Sequence, residues 1–99
     1  MYAICFDMTI SELEKSYGIP YNKAYDEIRK AMSEFGFEWK QGSTYFGTGT
    51  DINAVSCVIA VQELTKRFSW FGKSIRDIRM LKIEENNDLM PAVLSILKK

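Results

Sequence analysis

The sequence predicts an α+β fold of the ferredoxin-like kind: β-α-β-β-α-β in one antiparallel sheet, two helices on one face, and a short C-terminal helix beyond. Three observations carry this. The N-terminus is an almost continuous apolar run; two segments show apolar residues at helical spacing; and a Gln41-Gly42 turn joins two short segments that read as strands. The whole chain, 1–99, is read as one domain, since no composition shift, repeat or linker divides it.

Residues 2–8 (YAICFDM) are apolar on both parities until Asp7, the pattern of a central strand. The polar stretch TISELEKSYGI leads to Pro20, which suits the first turn of a helix because its missing N–H would be unpaired there. Tyr21, Ala24, Tyr25, Ile28, Met32 and Phe35 then form one stripe, with Asp26 and Lys30 as an i,i+4 pair outside it and Gly36 as the stop. Phe37 and Trp39 alternate with Glu38 and Lys40 as an edge strand, and Ser43 to Phe46 return as its hairpin partner. Thr50 or Asp51 is expected to cap a second helix bearing Ile52, Val55, Val58, Ile59 and Leu64. KRFSWFGK is read as a connection, and SIRDIRMLKIE as a strand apolar on both parities and partly covered on both faces. A final helix runs from Asn86 or Asn87 to Leu97, with Pro91 in its first turn. Two helices cover one sheet face; the other, with apolar residues of its own, calls for a partner, which a two-fold homodimer supplies.

Composition limits the chemistry. The 99 residues hold 13 basic and 13 acidic groups and no histidine, which excludes histidine triads, histidine acid–base pairs and imidazole-ligated zinc. Cys5 and Cys57 sit in apolar runs without CxxC spacing and read as reduced, buried thiols of a cytoplasmic protein. The N-terminus has no basic n-region and no stretch is apolar for the length of a membrane span, so no membrane partner is expected.

Zero net charge conceals one basic stretch: residues 66–82 hold six basic groups and a single acid. There Lys66, Arg67, Lys73 and Lys82 interleave with Phe68, Trp70 and Phe71, a pattern compatible with RNA, cations meeting phosphates and rings meeting bases. The plainer account has Trp70 and Phe71 packed inward under solvated cations. Asp7 ends an apolar strand, where a charge needs water, an ion pair or a cation; across a dimer axis two copies of it can share a Mg²⁺. Gln41, Ser43 and Tyr45 bring an amide, a hydroxyl and a phenol to one hairpin, although turn chemistry alone accounts for Gly42 and Ser43. In Arg76-Asp77-Ile78-Arg79 the arginines fall on opposite faces of a regular strand, so at least one reaches the side of Asp7, to pair with it or hold a phosphate; Asp77 serves equally as an arginine's partner.

The set MYAICFD, YNKAYDEIR, GFEWKQGSTY and WFGKSIRDIR leading into KIE resembles the virulence-associated protein D (VapD) family from Met1 to about Glu85. The resemblance implies a ferredoxin-like homodimer akin to the small nucleases of CRISPR adaptation, endoribonuclease activity, and a toxin role in some toxin–antitoxin pairs, with a cognate antitoxin as a further partner. Carried onto this chain, it puts the site at Asp7, Gln41, Ser43, Tyr45, Arg76 and Arg79. Asp7 is then a base or Mg²⁺ ligand, an arginine stabilises phosphorane charge, and Ser43 or Tyr45 positions the phosphate. Since 2′-OH attack needs no metal, no cofactor is strictly required. The competing expectation is a non-catalytic dimer that binds RNA or an antitoxin through the basic stretch and the hairpin.

Overall fold

The computed structural model describes residues 1–98. Four strands, β1 (Tyr2–Met8), β2 (Phe37–Gln41), β3 (Thr44–Gly47) and β4 (Ile75–Lys82), form one antiparallel sheet in the order β2-β3-β1-β4. That is the ferredoxin-like order, with the N-terminal strand second from one edge. The helices are α1 (Ile10–Ser16), α2 (Asn22–Glu34), α3 (Ala54–Arg67), α4 (Ser69–Ser74) and α5 (Met90–Leu97).

Alternation in the central strands sets the two faces. Ile4, Phe6 and Met8 of β1 are buried on the helix side, and Tyr45 lies beside Ile4 in the register and stacks on Phe6 at 5.9 Å between centroids. From α2 come Ala24, Ile28, Ala31 and Met32; from α3, Cys57, Ala60 and Leu64. The opposite face holds Ala3, Cys5 and Asp7, flanked by Thr44 and Phe46 of β3 and by Leu81, Arg79 and Asp77 of β4. No helix of the fold covers β4 on both sides: Met80 and Leu81 are each close to half exposed, so the expectation of a doubly covered strand does not hold within one chain.

Other expectations shift at the ends of elements. Helix α2 begins at Asn22, two residues past Pro20, and Asp26 and Lys30 form no ion pair among the described residues. The cap of α3 is Asn53, not Thr50 or Asp51. Its side chain accepts from the Ser56 N–H at 3.1 Å while Ser56 Oγ accepts from the Asn53 N–H at 3.1 Å, closing a reciprocal box. This frees Ile52 from the helix to fill a niche against Gly36 and Gly47. A Cβ on Gly47 would stand 2.7 Å from Phe37 and 2.9 Å from Ile52, so only glycine permits that approach. Helix α5 begins at Met90, later than Asn86 or Asn87, and has no buried residue.

Two helices lie where the sequence reads as loop. Helix α4 forms within the KRFSWFGK connection, whose Lys66 and Arg67 end α3, and it turns Trp70 and Phe71 into the core, Trp70 edge-on to Tyr17 and stacked on Phe68. Helix α1 contributes the fully buried Leu13 and joins α4 through the Thr9 N–H donating to the Ser74 carbonyl (2.8 Å) and the Ser16–Ser74 hydroxyl pair (3.3 Å). The pair closes the end of the sheet where β1 stops and β4 starts, and so fixes the surroundings of Asp7.

Overpacking a filled core costs about 1–3 kcal/mol. Gly47→Ala is therefore expected to lower the unfolding free energy by that amount, read as a lower urea midpoint with an unchanged m-value, because Phe37 and Ile52 must both move.

Candidate active site

At the end of β1 and β4 the register places Asp7 directly opposite Asp77. Like charges facing across two strands are unfavourable, and each carboxylate here is met by an arginine. Arg76 pairs with Asp7, and Arg79 Nε donates to both oxygens of Asp77 at 3.0 and 3.2 Å. Regular alternation would send Arg76 to the helix side. A bulge intervenes: Asp7 opposes Asp77 while Met8 opposes Ile75, so Arg76 is the extra residue. Ile75 turns toward the core, and both arginines reach the acidic pair. The sequence offers no sign of this bulge, because it is set by the cross-strand register.

All four side chains of the cluster are at least half exposed. An exposed ion pair contributes about 0.2–1 kcal/mol, so stability does not account for four charges gathered on one spot. What the spot offers is a carboxylate for proton transfer beside two guanidinium groups able to hold phosphate oxygens.

Ser43 is tied to this end of β1 through its backbone alone, its carbonyl accepting the Phe6 N–H at 3.1 Å, one residue from Asp7. Gln41 is exposed at the end of β2. Tyr45 is not brought to Asp7: it lies on the helix face, only 1% exposed. Burial pushes its phenol up to about 12, the nearby Arg29 pulling it back in part. Trp70, placed with RNA by the sequence pattern, is a core ring.

The basic stretch is more neutralised than its count implies. Lys66 pairs with Glu63 at 3.4 Å and Arg67 with Glu34 at 2.6 Å, in addition to the arginines at Asp7 and Asp77. Lys73 and Lys82 form no ion pair among the described residues. The hairpin carries a second aromatic–cation group that the sequence reading missed. The Arg29 guanidinium lies 3.8 Å over Trp39, whose Nε1 donates to the Gly42 carbonyl at 2.8 Å, and Lys40 stands over Phe46. The alternation of Trp39 with Lys40 was the available signal.

For a metal, the same spot offers two carboxylates on one face, and no group of three or more histidine, cysteine or acidic side chains exists among the described residues. Mg²⁺ commonly takes one or two carboxylates and completes its shell with water and phosphate, so Asp7 and Asp77 fit that ion as a donor set. Cys57 is buried and its thiol is pushed up by that burial, the opposite of an activated nucleophile. No helix among the described residues is long and apolar enough to cross a membrane.

Residues 1–90 match the family model described as CRISPR associated protein Cas2. The chain is 50% identical over 94 residues to Endoribonuclease VapD 2 of Riemerella anatipestifer, covering 94% of this chain and 99% of that protein. It is 50% identical over 97 residues to the Endoribonuclease VapD homolog of Helicobacter pylori, covering 98% and 100%. With Endoribonuclease VapD of Dichelobacter nodosus it shares 47% over 93 residues, 94% of this chain and 97% of the other.

Tyr45 makes stability fall at high pH. A phenol ordinarily titrating at 10.0 and held to about 12 in the fold stabilises fully below pH 10, and that contribution disappears as pH rises from 10 to 12. The loss from this group is expected to be roughly 2–3 kcal/mol. Urea melts at pH 9 and 12 check it: Tyr45→Phe should lose less stability than wild type over that interval.

Proposed function

This chain belongs to the family described as CRISPR associated protein Cas2, alongside the VapD endoribonucleases, and on that premise we propose that it cuts RNA as a homodimer at the open-face end of β1 and β4. It is an endoribonuclease, acting on phosphodiester bonds. The observation that supports this location is the Asp7–Arg76 and Asp77–Arg79 cluster, built at a bulge and beside the Ser43 turn, with no stabilising role large enough to account for it.

In the proposed chemistry Asp7 takes the proton of the attacking oxygen, either the RNA 2′-OH or water, and as that oxygen bonds to phosphorus the P–O bond to the leaving ribose oxygen breaks, that oxygen taking a proton from solvent water. Arg76, shared between Asp7 and the substrate, and Arg79, held by Asp77 through Nε with its terminal nitrogens left over, bind the non-bridging oxygens as negative charge grows on phosphorus. Ser43 holds the phosphate in line. Tyr45 takes no part, since its ring is buried on the other face. Asp7 and Asp77 would be the residues to hold a Mg²⁺ ion, whose chemistry there would be Lewis-acid stabilisation of the same charge. Gln41, Lys73 and Lys82 extend the RNA contact away from the scissile bond, Lys66 and Arg67 contributing after exchange of their carboxylate partners.

Dimerisation is favoured by the open face itself, where Ala3 lies between Phe46 and Leu81 and forms an apolar centre within a polar sheet surface. A two-fold axis there brings two copies of Asp7 to one interface. A role as the toxin of a toxin–antitoxin pair, with an antitoxin protein as partner, follows the same family reading.

The test is incubation of labelled single-stranded RNA with wild-type and Asp7→Asn protein, with and without EDTA, after light scattering has shown both to be equal dimers. Wild type should cleave, and the variant should be slower by at least about 100-fold, the usual worth of a positioned acid–base group. Activity surviving EDTA with 2′,3′-cyclic phosphate ends indicates attack by the 2′-OH; activity lost to EDTA indicates the metal-assisted route. Intact RNA with wild type, or equal cleavage by both proteins, overturns the reading.

A further inference from the structure

Among the described residues Trp39 is the one aromatic side chain left exposed, at 42%; the other tryptophan and every tyrosine and phenylalanine are buried or partly buried. It is nevertheless held still. The Arg29 guanidinium, carried by α2, lies 3.8 Å over the ring, and the indole Nε1 donates to the Gly42 carbonyl at 2.8 Å, so the ring is fixed by one face and one edge. Beside that bond the hairpin is open, since a Cβ on Gly42 would meet no atom within 4 Å. The surroundings are cationic. Arg29 and Lys40 form no ion pair among the described residues, Lys40 stands over Phe46 of the open face, and residues 39–50 contain no acidic side chain. In the register Trp39 faces Tyr45 and Tyr45 faces Ile4, so Trp39 lies two strands from β1 and three residues short of Asp7, roughly 14 Å away by strand spacing and rise. The ring is on the helix side of the sheet edge and Asp7 on the open face. Lys40 and the exposed Gln41 stand between them at the hairpin end.

We propose that Trp39 is a stacking platform for one unpaired base of the RNA, a few nucleotides from the bond cut at Asp7, with Lys40 and Arg29 meeting the phosphates beside that base. This deepens the RNA-cleavage reading and rests on it. Three observations favour a nucleic-acid strand over a protein segment at this edge. The groups on offer are a flat ring and two cations without carboxylate partners, the pair of features that binds a single strand: rings stack on bases while cations follow the backbone. The register of β2 shifts between Trp39 and Gln41, and such a bulge spoils an edge strand as a template for an added protein strand. The platform is also prearranged, because Arg29 and the Gly42 carbonyl hold the indole before any ligand arrives, so binding a base orders little more of the protein. The consequence is a substrate requirement. The RNA must be unpaired at the platform position, since a base within a duplex is already stacked on its neighbours, whereas the identity of that base matters little because every base has a face to stack.

The test combines protein variants with an abasic scan of a single-stranded RNA that the wild-type protein cleaves, each nucleotide in turn being replaced by a ribose without a base. Steady-state cleavage is measured for wild type, Trp39→Ala and Trp39→Phe. Trp39→Ala should raise KM by roughly 5- to 150-fold, the worth of one base–aromatic stack. It should leave kcat close to wild type, because the contact is made equally before and during the reaction. Trp39→Phe, which keeps a ring, should recover most of that loss. With wild-type protein, one abasic position away from the scissile bond should raise KM by a similar factor, and Trp39→Ala acting on that same RNA should be no worse than either change alone. The scan with wild-type protein and the Phe variant keep the answer clear if Trp39→Ala fails to fold. Cleavage by wild type with no sensitive abasic position, or losses from protein and RNA that multiply, would overturn the platform and leave cleavage at Asp7 standing. An unchanged KM in Trp39→Ala would do the same. No cleavage of any RNA by wild type would remove both readings.

Discussion

One extra residue in β4 shapes the site. If β4 paired with β1 without interruption, Arg76 would point into the helix layer and Ile75 out to solvent, burying a charge and exposing an aliphatic side chain. The bulge between Asp7 and Met8 exchanges the two: Ile75 packs on the core and Arg76 meets Asp7. Helices α1 and α4 secure this end of the sheet through the Thr9–Ser74 backbone bond and the buried Leu13, Trp70 and Phe71. This end of the sheet is thus held by packing beneath it, while its charged groups remain in water.

That division separates what stabilises the protein from what it does. The core is a layer of aliphatic and aromatic side chains between the sheet and α2 and α3, with Tyr45 and Phe6 stacked at its centre and Ile52 set against Gly36 and Gly47. The open face bears two opposed aspartates, a pairing that costs stability within the chain unless each carboxylate is met by an arginine, as Asp7 is by Arg76 and Asp77 by Arg79. The arginines are already partnered, which keeps their guanidinium groups in place and leaves donors available for a substrate.

Much of the fold was legible because its longer elements follow clear periods. The stripe of α2 from Tyr21 to Phe35, the apolar run of β1 and the Gln41-Gly42 hairpin all appear where the sequence places them. The shortest helices did not show. Helix α1 has one buried residue, and α4 spans six residues with a glycine among them, too few for a period to register. The Asn53 cap was hidden because serine, in place of the usual Glu or Gln, completes its box. Within the site, Asp7 and the arginines were recognisable as charges out of place, but their grouping was not, since it follows from a cross-strand register. The aromatic–basic pattern at 66–82 hid its own pairing and burial for the same reason. Glu34, which neutralises Arg67, is far away in the sequence, and Trp70 is turned inward by a helix too short to see.

The claim at the centre of this account is that Asp7 and Arg76 act as one unit in RNA cleavage. Its most direct test is a double-mutant cycle of cleavage rates with Asp7→Asn, Arg76→Gln and the combined variant. Groups that act as a unit are strongly non-additive, so the double variant should be about as slow as the slower single variant. Losses that multiply, or an Arg76→Gln variant cleaving at the wild-type rate, would contradict the account.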